Sequence, residues 1–296
     1  LKTPILLFIC SLLLPLAASA KEAEVLPAEE IYQSRKISNG IYCRSKAFVD
    51  IHAHAGCVSD GGKTCFIHER MKKERIYGFF SKYKGLFDSF GVSEAEFLKK
   101  GNPYFFELVS GMVEKSTCVD AIVLLAIDAV YQFESGEIDL ENTDFMIRND
   151  FVAEQVKKYD NLLWGASVHP FRKDYKAELK KAYENGAVLI KLIPPIHGIK
   201  LDDRDAKIRA RMQDFYKLLK KYDLPLLAHL DEEGTFTKEM ERKFRPFVGV
   251  LGVKAALDAG VTVIVAHAAS REDLKTKDPG TKGTTYKDLL ELMRDP

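Results

Sequence analysis

The stretch DAIVLLAID (residues 120–128) sets the terms for the fold: an unbroken apolar run lies between two aspartates. A strand with one face in water alternates apolar and polar positions. A continuous run instead describes a strand covered on both faces, as the strands of parallel sheets are. Outward from it, the pattern returns in AFVDIHAH (47–54), LLWGASVHP (162–170), AVLIKLIPP (187–195), LPLLAHLD (224–231) and VTVIVAHAA (261–269). Between these runs lie stretches with helical spacing: TDFMIRNDFVAEQVKKY (143–159), YKAELKKAYENG (175–186), DAKIRARMQDFYKLLKKYD (205–223) and FVGVLGVKAALDAG (247–260). Several close on Gly, Asn or Asp just before the next apolar run, as helix C-termini do. Asp202 and Asp203 are the expected N-caps of the third stretch. Strand and helix alternating this regularly predict an α/β fold, most simply a (β/α)8 TIM barrel that is incomplete here, with about six of eight strands. An open, doubly wound sheet of six strands is the alternative. Residues 57–118, between the first two runs, are expected to form a helical insertion over the strand ends, with FGVSEAEFLKKG (90–101) as one helix.

Charge is nearly balanced, with 44 Lys and Arg against 43 Asp and Glu in 296 residues. No positive field is available to attract phosphate, which argues against a nucleic-acid partner and for a small-molecule substrate. The runs KKER (72–75) and KDYKAELKK (173–181) read as solvated helix faces. The first twenty residues, LKTPILLFICSLLLPLAASA, combine one lysine, an apolar run and the small residues Ala18-Ser19-Ala20. That pattern predicts a signal peptide (1–20) cleaved after Ala20, and an exported, periplasmic or extracellular (secreted) protein. The run is too short and too broken by proline to span a membrane, so no span is expected after cleavage. Cys10 lacks the small residue that precedes a lipidated cysteine. Residues 21–46 form an N-terminal segment, and 47–296 the partial barrel. Cys57 and Cys65 bracket VSDGGKT, whose Gly-Gly can make the turn a disulfide needs; two buried thiols are the alternative. The chain starts at leucine and stops within the helical pattern TYKDLLELMRDP, which reads as a fragment.

Histidine placement turns the fold into a functional reading. His52 and His54 close the first run, His169 the third, His229 the fifth and His267 the sixth, while His197 follows the fourth. Only His68 lies elsewhere, in the insertion. The C-terminal ends of barrel strands are where such enzymes build their sites. Residues i and i+2 share a strand face, so His52 and His54 can project together. Imidazoles on a rigid backbone suit Zn2+. His52 and His54 alone make a weak case for a metal; His229 and His267 at matching positions make a strong one.

VDIHAH, LLAHLDEEG and VIVAHAAS together resemble the amidohydrolase superfamily of metal-dependent barrel hydrolases. ASVHPFRKD and LIKLIPP look closest to the branch that holds amidohydrolase-related proteins and relatives of amino-carboxymuconate decarboxylase. The resemblance covers about residues 47–270. It implies that His52, His54 and His229 bind one or two divalent ions, and that His267 is a further ligand or the catalytic base. The family also uses an aspartate on strand eight, for which this chain has no counterpart, so the chain as given is expected to be inactive. Lys191 admits three readings: a carboxylated lysine bridging two ions, as the resemblance implies; a pocket amine that binds an anionic substrate; or an outward side chain whose amine reaches water. A Schiff-base role would leave the histidines unexplained.

His169, Arg172 and His197 join Lys191 as expected substrate contacts, Arg172 because guanidinium grips a carboxylate in two places; a surface salt bridge is its alternative. Asp128 can face the pocket or cap a turn. Glu232 and Glu233 can hold an imidazole in one tautomer. The expected activity is hydrolysis of a C–N or C–O bond by metal-activated water. A metal-dependent decarboxylase (lyase) and a catalytically silent binding barrel are the alternatives.

Overall fold

The computed structural model describes residues 48–73, 90–116, 118–231, 237–269 and 284–294, with the backbone of three short strands at 5–7, 34–36 and 42–44. The strands are β1 Ile5–Leu7, β2 Ser34–Lys36, β3 Tyr42–Arg44, β4 Val49–His54, β5 Cys65–Ile67 and β6 Ala121–Leu125. They continue with β7 Phe145–Ile147, β8 Leu162–Gly165, β9 Ile190–Leu192, β10 Leu226–Ala228 and β11 Val263–Val265. The helices are α1 Glu69–Lys73, α2 Glu94–Lys100, α3 Pro103–Lys115, α4 Asn149–Val156 and α5 Tyr175–Glu184. After them come α6 Pro194–His197, α7 Ala206–Lys221, α8 Lys238–Phe244, α9 Lys254–Asp258 and α10 Thr284–Arg294.

Each of the six apolar runs contains a strand: β4, β6, β8, β9, β10 and β11. Their parallel pairings follow chain order: β4 with β6, β6 with β8, β9 with β10 and β10 with β11. A single parallel bridge, Ala166 to Ile190, carries the order from β8 to β9. The far side of β11 is taken by β1, with Ile5 opposite Val263 and Leu7 opposite Val265. Part of the expected signal peptide thus supplies an edge strand; Lys2, Cys10 and the Ala18–Ala20 cleavage site lie outside the described residues. Among the described residues no pairing joins β4 to β1, so the strands do not close into a barrel.

The two faces of this sheet pack differently, and the difference follows the period of two along each strand. Leu124, Trp164, Ile190, Leu192, Leu226 and Val263 share a core with Phe151 and Val152 of α4, Leu179 of α5 and Phe215 of α7. Val123, Leu125, Leu189, Leu227, Ile264 and Ala266 instead form a separate cluster to which, among the described residues, no α-helix contributes. The sheet curves around that face, because His52 of β4 and His267 after β11, at opposite ends of this strand order, lie 4.8 Å apart ring to ring. Gly165 belongs there for a steric reason: a Cβ would lie 2.6 Å from both Leu125 Cδ2 and Leu189 Cδ1.

Local rules explain most helix boundaries. The hydroxyl of Ser93 accepts from the Glu96 amide to start α2, which stops at Gly101 with φ 75°. Asp205 caps α7 by accepting from the amides of Lys207 and Ile208, taking the role expected of Asp202 and Asp203. Two expected helices differ. The 143–159 stretch splits into β7 and α4, because Phe145–Ile147 pairs antiparallel with Cys65–Ile67 of the insertion. The 247–260 stretch carries a 3-10 turn at Leu251–Val253 and then the short α9. The insertion is helical in α1, α2 and α3 and adds β5. Cys57 and Cys65 are joined by a disulfide, and Cys118 is also disulfide-bonded.

Candidate metal centre

His52 and His54 reach the curved face by an irregularity in β4. Asp50 lies opposite Ile122 and Ala53 opposite Leu124, so Ile51 and His52 together stand against Val123. This is a β-bulge, one extra residue that re-aims the side chains beyond it. Val49 and Ile51 pack with the helix-free cluster, whereas Ala53 packs with the helix-covered core. In an unbroken strand Ala53 would share the face of Val49 and Ile51, and both histidines would point toward the helices. The bulge reverses that parity. Its freed backbone donor is satisfied locally, since the His52 amide donates to Asp50 Oδ1 at 2.9 Å.

His229 follows β10 at the parity of Leu227, on the same face. His267 gets there through backbone strain: His267, Ala268 and Ala269 have φ of 54°, 50° and 50°, one left-handed turn without a glycine. Such a conformation costs an L-residue about 1–2 kcal/mol. It brings His267 to 4.8 Å from His52 and 5.1 Å from His229, ring centre to ring centre. His52 and His54 lie 5.5 Å apart by the same measure. Four imidazoles from β4, β10 and the turn after β11 therefore form one group.

Lys191 sits inside this group. It is fully buried, at the parity of Leu189, and its Nζ lies 2.8 Å from His52 Nε2. The outward reading of Lys191 is thereby removed. Burial, then Lys191 and the neighbouring imidazoles, hold His52 far below the ordinary histidine range, so its ring is neutral. Asp231 is the residue that sequence reasoning missed. It is buried, and its Oδ1 lies 3.0 Å from His229 Nε2. The signal was its place two residues after His229 in LPLLAHLD. Glu232 and Glu233, which were expected in that role, lie outside the described residues.

The donors are right in kind for a borderline divalent ion: imidazoles from β4, the end of β10 and the turn after β11, one of them 3.0 Å from a carboxylate. They are grouped but not yet converged. Among the described residues no three His, Cys, Asp or Glu side chains stand in ion-holding geometry, and the His52 lone pair faces Lys191.

The remaining expected contacts are committed elsewhere. His169 is buried; its Nδ1 accepts from the Phe171 amide at 3.0 Å, and its Nε2 lies 2.9 Å from the His197 carbonyl. The two bonds place its proton on Nε2 and leave no nitrogen for a substrate. Arg172 donates to both oxygens of buried Asp128, to the Tyr131 hydroxyl and to Asp174. Its donors are taken by the scaffold, so it grips no substrate carboxylate in this arrangement. Asp128 also accepts from the His169 amide, which ties the loops after β6 and β8. His197 is buried in α6, and its Nδ1 accepts from the Ile193 amide. A cleft of about 270 Å3 bounded by Phe66, Tyr131, Arg148, Arg172 and Lys181 lies away from the centre, and no histidine lines it. Trp164 is core, with Nε1 donating to the Asn185 carbonyl.

No protein-family model matches the chain, and no curated protein does. Among solved structures it is similar to 2,6-dihydroxybenzoate decarboxylase complexed with 2,6-dihydroxybenzoate, at 12% identity over 77% of this chain and 69% of that one, with a TM-score of 0.42. It is also similar to a TatD-like protein from Archaeoglobus fulgidus, at 10% identity over 83% and 92%, TM-score 0.31. A third is dihydropteroate synthase from Xanthomonas albilineans in complex with 7,8-dihydropteroate, at 11% identity over 82% and 90%, TM-score 0.28. Likeness of this degree carries no inference about activity.

Proposed function

We propose that the full-length protein is a metal-dependent hydrolase on a barrel-type α/β scaffold, acting on a C–N or C–O bond of a small molecule. One observation carries this reading: four histidines from the C-terminal ends of parallel strands share one face of the sheet. His52, His54, His229 and His267 would hold one or two divalent ions, with zinc favoured by nitrogen donors. When bound, such an ion acidifies water toward neutrality and polarises a carbonyl. The protein's part is to place the donors and move the proton. Asp231, whose Oδ1 lies 3.0 Å from His229 Nε2, would orient that ring, and His267 would serve either as a further ligand or as the base that accepts and returns a proton. The helix-free apolar cluster beneath the histidines excludes water from one side.

The decarboxylase alternative has less support than the sequence suggested, since the arginine it would use is held by Asp128 and Asp174. Export, with the mature chain starting at Lys21, is part of the reading. The Cys57–Cys65 disulfide supports an oxidising compartment, and the first residue of the mature protein checks it.

Metal analysis of protein purified with zinc present, together with a screen of ester and amide hydrolysis, tests the function. The expected result is bound metal in the wild type, lost in His54→Ala and His229→Ala, and hydrolysis by the full-length protein that the same substitutions abolish. Metal-free protein, with both variants behaving as wild type, sinks the proposal and leaves a binding protein on this scaffold.

A further inference from the structure

Lys191 is the one residue of the centre whose chemistry works against an ion. A buried lysine presents three donors and, when charged, no lone pair. Here the amine meets His52 at Nε2, 2.8 Å away, so it occupies the lone pair through which that nitrogen would bind a metal. The contact is built into the sheet. Leu189 and Lys191 face the curved side of β9, Ile190 pairs with Leu226 and Lys191 with Leu227, and β9 is held to β8 through Ala166. The amide of Lys191 donates to the Ala166 carbonyl at 2.7 Å, and the Ser167 hydroxyl donates to the Lys191 carbonyl at 3.0 Å. These bonds fix the backbone of Lys191, so any movement is confined to its side chain. On the His52 side, the bulge fixes the backbone through the bond from the His52 amide to Asp50.

We propose that the Lys191 amine competes with a divalent ion for His52. Without metal, the amine holds the histidine group together; with metal, Nζ leaves Nε2 and the ion takes its place. The inference rests on the metal-centre reading above and deepens it, because it sets the threshold of free ion at which the centre fills. It also accounts for donors that are grouped yet not converged: the cluster is arranged around an amine.

Zinc titration by calorimetry of metal-stripped protein tests this, using the wild type, Lys191→Met and Lys191→Arg, with His54→Ala as control. Cobalt titration followed by visible absorption gives a second readout that does not depend on turnover. Met keeps the length of the side chain without a donor, so Lys191→Met is expected to bind zinc about ten-fold tighter or more, the scale on which neighbours of metal ligands act. Lys191→Arg keeps the charge and is expected to gain nothing. If Lys191→Met binds more weakly than the wild type while His54→Ala also binds weakly, the centre is real and Lys191 assists it; the competition proposal is then overturned alone. If no protein in the set binds zinc or cobalt while melting cooperatively, the metal-centre reading fails and takes this proposal with it. Should Lys191→Met not fold, Lys191→Gln, with a neutral polar end, takes its place with the same expected gain.

Discussion

At the scale of single residues, the structure separates histidines of one sequence context into different jobs. His169 and His229 each close an apolar run, yet the first is a strut and the second belongs to the centre. What decides is where the ring nitrogens go. Those of His169 meet the Phe171 amide and the His197 carbonyl, and burial depresses its pKa to about 3 from an ordinary 6.5. Between those values the unfolded chain binds a proton that the folded chain refuses. The contribution of His169 to stability is thus complete above about pH 6.5 and is lost as pH falls toward 3, by at most about 1.4 kcal/mol per pH unit. Urea midpoints measured from pH 7 to pH 4.5 are expected to fall less steeply for His169→Gln than for the wild type; parallel curves would show that the ring titrates normally. Arg172 teaches the same lesson. Its type and position suit a substrate carboxylate, but Asp128, Tyr131 and Asp174 take its donors first.

At the scale of elements, one extra residue in β4 decides whether there is a centre at all. A strand with period two cannot place Val49, Ile51, His52 and His54 on one face unless the register slips between them. The bulge makes that slip, and Asp50 stabilises it by accepting the His52 amide. Asp50→Ala is expected to lower stability by about 1 kcal/mol, the usual net worth of one hydrogen bond, and to speed hydrogen exchange at the His52 amide. Asp50→Asn, which keeps an acceptor oxygen, should restore protection. Unchanged exchange in Asp50→Ala would mean that the bulge holds without its carboxylate. The strand at Phe145–Ile147 is an element-scale surprise of another kind. FMI is apolar enough for either state, and its antiparallel partner in the insertion tipped the balance.

At the scale of the whole molecule, the loops at the C-terminal ends of the strands are tied to one another by buried carboxylates. Asp144 is the main tie. Its side chain accepts from Arg70 Nε of the insertion after β4, and from the amide and hydroxyl of Thr237 beyond β10, at 2.8 Å each; its carbonyl accepts from the His68 amide. Asp144→Ala would strand a largely buried guanidinium, a loss of about 3–5 kcal/mol. The expected result is a lower urea midpoint together with earlier proteolysis between β10 and α8; an unchanged midpoint would remove Asp144 from this role.

By itself, the sequence determined the α/β class, the six parallel strands, the α2, α5 and α7 helices and the strand-end positions of the histidines, and it put Cys57 and Cys65 within reach of each other without choosing between a disulfide and two thiols. These features are local: they depend on period, on capping residues and on short-range turns, which each stretch carries within itself. Only the tertiary structure decided that Lys191 faces His52, that Asp231 holds His229, that Arg172 and His169 serve the scaffold, and that a left-handed turn delivers His267. The Lys191 contact and the ties of Arg172 and His169 depend on which side chains from distant strands compete for the same few buried donors and acceptors. That competition exists only once the strands lie side by side.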